Sequence, residues 1–419
     1  MKQTRNQFID IMRGIAMLLV VLGHTMTGCT TGAEESFLFN IVWSLQMPMF
    51  ILISGYVTRY SREITDIAGL WKYMKRRTIA YLLPWIVWSF IVRGVIFGES
   101  TFLDIKWLLW HMDSGYWFLA TIWTISMIFG VSIFVAKKLA QNSEIKQQVF
   151  TLFLYVVGMA FLVGVGLITG LSFFAIKLTL YYMPFYFAGY LYGQYRDKIF
   201  EKKWGKTTVD VVVAICLAVW LFIMTRYHLY ALPDSGMAIF LRAGSSVTGC
   251  VAVCGLCKGL FAGDVQSELG GVTARVVRRS FAGDLSRPLS ATLSAEDGRD
   301  TFNGKLTGHC ADDKQLHNDS GANTPCSQVY KLEQGFKTGA IWKQRIGNGF
   351  LWAGKKSLEI YMFHGLLLDV LKPQLRPVFP SISGYVLIMG NFVVTIILCV
   401  VVISLISQNG ISKKVLGMK

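Results

Sequence analysis

Phe8-Ile-Asp-Ile-Met-Arg-Gly-Ile-Ala-Met-Leu-Leu-Val-Val-Leu-Gly-His24 is the stretch on which the reading of the whole chain turns. It is an apolar run of membrane-spanning character, interrupted by Asp10 and Arg13 and closed by His24. Eleven positions separate Arg13 from His24. In a helix that spacing puts them on nearly the same face, roughly 16 Å apart along the axis. Ionisable side chains are costly in hydrocarbon, so each is read first as functional. The structural alternative is a buried histidine and an arginine that snorkels or pairs with Asp10 one turn away. Lys2 and Arg5 ahead of the run mimic a signal peptide, but no small-residue cleavage site follows His24. The segment is therefore expected to be a retained membrane helix.

Composition extends this reading to the whole chain. Of 419 residues, 53% are hydrophobic and only 16% are charged, where a soluble domain carries about a quarter charged. Mean hydropathy is +0.47. The expected fold is all-α, a polytopic membrane bundle. Runs long enough for a hydrocarbon core, about 20 residues each, fall at 9–28, 36–58, 78–98, 117–136, 148–169, 173–193, 208–225, 237–257, 350–370 and 384–406. Lys and Arg collect in alternate loops: Arg59 to Arg77, Lys137 to Lys146, Arg196 to Lys206, and Lys413 to Lys419. The loop 29–35 carries Glu34 and Glu35 and no basic residue. The positive-inside rule then predicts ten transmembrane helices with both termini in the cytoplasm. It also accounts for the +16 net charge without nucleic acid as a partner.

The expected organisation is helices 1–8 over 1–261, a polar cytoplasmic insert over 262–343, and helices 9 and 10 with a cytoplasmic tail over 344–419. His309, Cys310, His317 and Cys326 in the insert have no zinc spacing, so the insert reads as structural or disordered and no metal site is expected. Eight cysteines in a chain of this length are no disulfide framework. Cys250, Cys254 and Cys257 sit in an apolar run, as packing residues.

Three further stretches carry polar groups into the membrane. In the second run, Pro48 can kink the helix and free a carbonyl, and Ser54 and Gly55 allow close helix approach. Lys75, Arg76 and Arg77 open the third run. Such clusters mostly anchor a helix to anionic lipid, and beside a cavity they can hold a phosphorylated donor. In the ninth run, Ser357, Tyr361 and His364 stand at i, i+4 and i+7 and share one face, with Gly354 one turn earlier. His364 and His24 are equally deep in their helices, beyond the bilayer middle, so two polar faces converge on one candidate cavity. Lys355 and Lys356 stand at its inner mouth.

Together these stretches carry a resemblance. Arg13 with His24, Gln46-Met-Pro-Met-Phe50 with Ser54-Gly-Tyr56, Tyr116-Trp-Phe-Leu119 and the Gly354-to-His364 segment, in this order, resemble the acyltransferase-3 family. These are integral-membrane bacterial acyltransferases, mostly O-acetyltransferases acting on sugars and surface glycans. The resemblance covers about 1–260 and 345–406. The family's Arg-x-x-Arg pair ahead of the third-helix proline is incomplete, with Arg77 at the first position and Ala80 at the second.

The resemblance implies a multi-pass protein of the bacterial inner membrane, with no permanently bound cofactor. Its donor would be an acyl-CoA, usually acetyl-CoA, presented from the cytoplasm. Its acceptor would be a sugar or glycan hydroxyl, with glycan-assembly enzymes as partners. A sugar hydroxyl needs a base, and histidine titrates in the right range. His24 is the expected base or acyl relay. Arg13 is expected to orient it or to bind the donor. Ser357, Tyr361 and His364 would complete the cavity, with Ser54 nearby, and Arg76, Arg77, Lys355 and Lys356 would meet the CoA phosphates. A transporter or flippase of a glycan precursor is the alternative, since intramembrane polar groups suit both.

Overall fold

The computed structural model describes residues 6–61, 64–140, 143–169, 173–200, 205–281 and 345–408. Among them the chain is helical, and its one β contact is an isolated bridge between Thr31 and Val378. The helices are α1 (Gln7–Cys29), α2 (Phe37–Val57), α3 (Ile67–Ile96), short α4 (Ser100–Leu103) and α5 (Ile105–Trp110), then α6 (Trp117–Leu139) and α7 (Glu144–Thr169). They continue with α8 (Ile176–Phe200), α9 (Gly205–Arg226), α10 (Gly236–Phe281), α11 (Ser357–Leu371) and α12 (Ile382–Gln408). Side chains fix several helix starts. Asn6, Ser36 and Asp66 each accept from a backbone N–H of the turn that follows, at 3.1, 3.1 and 2.7 Å, satisfying donors that the helix itself leaves open.

Eight of these helices are long and apolar enough to cross a membrane. The protein is a multi-pass helical membrane protein. Two of the ten expected spans fall short of that standard. The run at 173–193 forms α8, whose six tyrosines, Tyr181 to Tyr195, lower its hydropathy below that of lipid-facing helices. The run at 350–370 is broken: 350–355 is helical, Lys356 is a turn, and α11 has only 15 residues.

Burial sorts the helices into two shells. More than half of the membrane-spanning residues of α1, α2 and α6 are buried, against fewer than a quarter in α7, α9 and α12. The latter turn Phe161, Leu167, Val212, Phe222 and Val386 outward, as lipid-facing helices do.

Two glycine contacts hold the inner helices at backbone distance. A Cβ on Gly14 would collide with the Phe350 carbonyl, and one on Gly354 with the carbonyl of Asp10. In the same way Gly55 meets Tyr186 and Gly189 meets Leu52, joining α2 to α8. Small residues permit this approach, which gives membrane helices their packing energy.

Clustering of contacts divides the chain into two compact units, Met1–Leu260 with Phe350–Lys419, and Phe261–Gly349. The expectations for the polar segment 262–343 fall mostly outside the described residues. Its first part, to Phe281, continues as helix, whereas His309, Cys310, His317 and Cys326 are not described.

Candidate functional site

The site begins with the register of α1 against the helix of the ninth run. Gly14 touches the backbone around Phe350 and Gly354, and ten residues further on each chain His24 stands beside His364. Equal steps from one contact to the next mean that the two helices run parallel. The imidazole centroids are 5.3 Å apart with the planes inclined at 43°. Nδ1 of His364 lies 3.0 Å from the Ile360 carbonyl. A carbonyl only accepts, so Nδ1 carries a proton, and in the neutral form of the ring Nε2 is then the acceptor. His364 is buried, whereas the ring of His24 is open.

His24 opens into a cavity of about 630 Å³ that His364 and Tyr361 also line. Its wall is aromatic, with Trp43, Tyr116, Trp117 and Tyr182. Trp117 and Tyr182 stack at 5.8 Å. Trp43 meets His24 edge-on at 6.3 Å. Tyr116 donates to the Met362 carbonyl at 3.1 Å, tying the start of α6 to α11 two residues before the histidine.

The charged rim was not singled out from the sequence. Arg93, Asp113, Asp369 and Lys372 line the cavity. Arg93 binds Glu99 at 2.9 Å and lies 3.8 Å from Asp369. An arginine inside the apolar run 78–98 was itself a signal, because such a charge is costly unless it faces a wet cavity.

Gln46 is the other residue that sequence reasoning left out of the site, although it stands in the quoted Gln46-to-Phe50 motif. It is 3% exposed and lines the cavity. Its Oε1 has no hydrogen-bond partner among the described residues. That oxygen sits where a Cβ on Gly23, the residue before His24, would be 2.7 Å away. The glycine therefore makes room for the carboxamide at the cavity wall.

Around Pro84 the third span departs from α-helical geometry. Thr78–Leu82 and Val87–Ile96 are π-helical. Proline lacks the N–H for the usual bond and crowds the preceding turn, and wider turns of this kind recur at functional sites. The wider coil presents Trp85 and Trp88 to the core, where Trp88 meets Phe363 of α11 at 4.8 Å and Tyr116 at 6.0 Å. Trp88 beside Phe363 and Arg93 beside Asp369 advance together, so α3 also runs parallel to α11.

The other expected site residues lie elsewhere. Arg13 does not reach His24: roughly 16 Å of helix separates them, and its guanidinium lies 3.9 Å from the buried carboxylate of Asp10. Ser54 donates back to the Phe50 carbonyl at 2.8 Å and is not part of the cavity wall. Neither is Ser357, at the first turn of α11. Arg77 packs between Tyr73 and Tyr81, 5.2 and 5.8 Å from their centroids. Arg76 and Lys355 are exposed, and Lys356 pairs with Glu359 at 3.1 Å. Because α3 and α11 are parallel, the two basic pairs stand toward the same end of the bundle, away from the histidines. Among the described residues no group of three or more His, Cys, Asp and Glu side chains is placed to hold a metal ion.

Fold and site thus define a helical membrane protein with a histidine pair at the head of an aromatic cavity. Comparison with known families agrees: the profile described as an acyltransferase domain matches residues 6–273. The chain belongs to the acyltransferase-3 family, and it is a membrane acyltransferase rather than the transporter or flippase left open by its intramembrane charges. The matched region contains Arg13, His24 and Gln46 and ends before Tyr361 and His364. Searches of curated proteins and of solved structures give no significant match.

Proposed function

We propose that the protein transfers an acyl group, acetyl in the first instance, from a cytoplasmic acyl-CoA to a hydroxyl of a sugar or glycan at the outer face of the bacterial inner membrane. The observation that carries this reading is the His24–His364 pair opening into a cavity walled by aromatic rings. Aromatic faces pack against the apolar face of a sugar ring, and the rim carboxylates Asp113 and Asp369 suit its hydroxyls. In the proposed reaction His24 takes the proton as the hydroxyl oxygen bonds to the thioester carbonyl carbon. His364, through Nε2, accepts a hydrogen bond from His24 or from the hydroxyl. The Gln46 amide stabilises the negative charge that develops on the carbonyl oxygen. The C–S bond then breaks, and the proton passes from His24 to the leaving thiolate, giving the ester and free CoA.

The donor phosphates would stay at the end bearing Arg76, Arg77, Lys355 and Lys356, with the pantetheine arm reaching along α1 past Arg13. Arg13 is then a donor-binding residue rather than the orienter of His24. What supports this is the parallel course of α1, α3 and α11, which sets the basic pairs and the histidines at opposite ends of one helix group.

Glycans from cells with and without the gene, compared by mass spectrometry, should differ by the mass of one acyl group. A His24→Ala protein should lose transfer by about 10²- to 10⁴-fold, the usual worth of a general base. Full activity in that variant, at normal membrane levels, excludes the mechanism.

A further inference from the structure

A second cavity, of about 800 Å³, lies at the opposite end of the same helices. Three helices run from one cavity to the other. On α2, Trp43 lines the first and Arg59, just beyond its end, the second; on α6 the pair is Trp117 and Lys137; on α8, Tyr182 and Lys198. Between them stands a closed layer made of Ile51, Ile122, Ile125, Phe185 and Tyr186, each no more than 2% exposed. From Trp117 to Ile133 on α6 the separation is roughly 24 Å at the helical rise. The second cavity is therefore not the inner part of the first.

Its chemistry is that of an anion site. Among the described residues that line it, Arg59, Lys137, Lys138 and Lys198 meet one carboxylate, Glu144. Arg59 is oriented by a bond to the Gly193 carbonyl at 2.9 Å, and Lys198 holds Glu144 at 3.0 Å. Carboxamides and hydroxyls of Gln147, Gln194 and Thr151 add neutral hydrogen-bonding groups, over a floor of Phe129 and Ile133. Basic residues scattered over a convex surface would be the ordinary signature of a cytoplasmic face. Here they converge on one concavity, of the size that small-ligand sites have.

We propose that this cavity binds a phosphate-bearing ligand, through charge-assisted bonds from Arg59, Lys137 and Lys138. The phosphate belongs either to a soluble nucleotide or to an anionic lipid headgroup. The proposal is independent of acyl transfer, since the closed layer keeps the site apart from the histidines.

The test uses the full-length protein purified in a neutral detergent. Adenosine 3′,5′-bisphosphate and short-chain phosphatidylglycerol are titrated separately, with adenosine and short-chain phosphatidylcholine as controls, and the thermal unfolding midpoint is followed. One phosphate-bearing probe should raise the midpoint saturably, and only stabilisation that is lost in Lys137→Gln/Lys138→Gln and kept in Arg76→Gln/Lys355→Gln, at the proposed donor site, counts toward this cavity and identifies the source. The Lys137→Gln/Lys138→Gln protein should bind it about tenfold more weakly or worse, as expected from losing two charge-assisted partners. Glu144→Gln should bind it more tightly, an outcome that a misfolded variant cannot produce. His24→Ala should bind as the parent does. No stabilisation by either phosphate probe, equal affinity in the double lysine variant, or loss of binding in His24→Ala overturns the proposal.

Discussion

His24 and His364 divide the labour of the cavity according to what each nitrogen touches. The Ile360 carbonyl fixes one proton on His364, while His24, ringed by Trp43 and His364, keeps an open face toward the cavity. Gln46 is the residue whose environment is least explained by packing. A buried carboxamide oxygen without a partner costs about 1–3 kcal/mol, a penalty that an apolar side chain at this position would avoid. Gln46→Leu should therefore fold at least as well as the parent while losing catalysis, by about 10²-fold if the amide serves the carbonyl oxygen. The discriminating readout is kcat with saturating donor and acceptor. An unchanged kcat would return Gln46 to a packing role. The loss of KM alone, with kcat intact, would make it a binding residue only.

At the level of the helices, the site depends on register. Because α1 crosses the helical stretch ahead of α11 at Gly14 and Gly354 with backbone in contact, the histidines ten residues onward are held side by side. Replacing Gly14 with Leu drives a side chain into the Phe350 carbonyl, and no rotamer relieves a clash that starts at Cβ. Overpacking costs about 1–3 kcal/mol in adaptable cores, and this contact, made by backbone, should lie at or above the upper end. The expected result is a lower unfolding midpoint in detergent together with lost transfer. Gly164→Leu on α7, where a Cβ meets open space, should leave both unchanged. If Gly14→Leu also leaves them unchanged, the close crossing does not set the register.

For the molecule as a whole, two cavities at opposite ends of α2, α6 and α8 imply opposite sides of the membrane. The loop-charge rule predicts that the end carrying Lys137 and Lys138 is cytoplasmic, and on that orientation the histidine cavity would face outward. Single cysteines at Asp113 and Lys137, in a background with the native cysteines replaced, separate the two sides. A membrane-impermeant maleimide added to intact cells should label the cysteine at 113 and spare the one at 137 until the membrane is opened. Labelling in the reverse order would invert the topology and, with it, the side on which the acceptor is modified.

The sequence by itself determined the membrane class, the helical fold and the family. Each rests on local physics: apolar runs of spanning length, alternating loop charge, and polar residues spaced along a helix face. It also put His24 and His364 at equal depth, because depth in a helix is a simple count of residues. The tertiary structure alone decided which of these residues meet. Arg13 is placed beside the buried carboxylate of Asp10, 3.9 Å away, while its distance from His24 follows already from the helical rise. Ser54 falls away because a hydroxyl on a membrane helix satisfies itself on its own backbone, at Phe50. Arg93, Asp369 and Gln46 enter because packed helices bring together side chains that are distant in sequence, and no periodicity within one helix records its neighbours. The breaks in helical regularity, the turn at Lys356 and the π-helical turns flanking Pro84, lie in the two spans that frame the site, where a polar cavity must be fitted between helices otherwise built to exclude water.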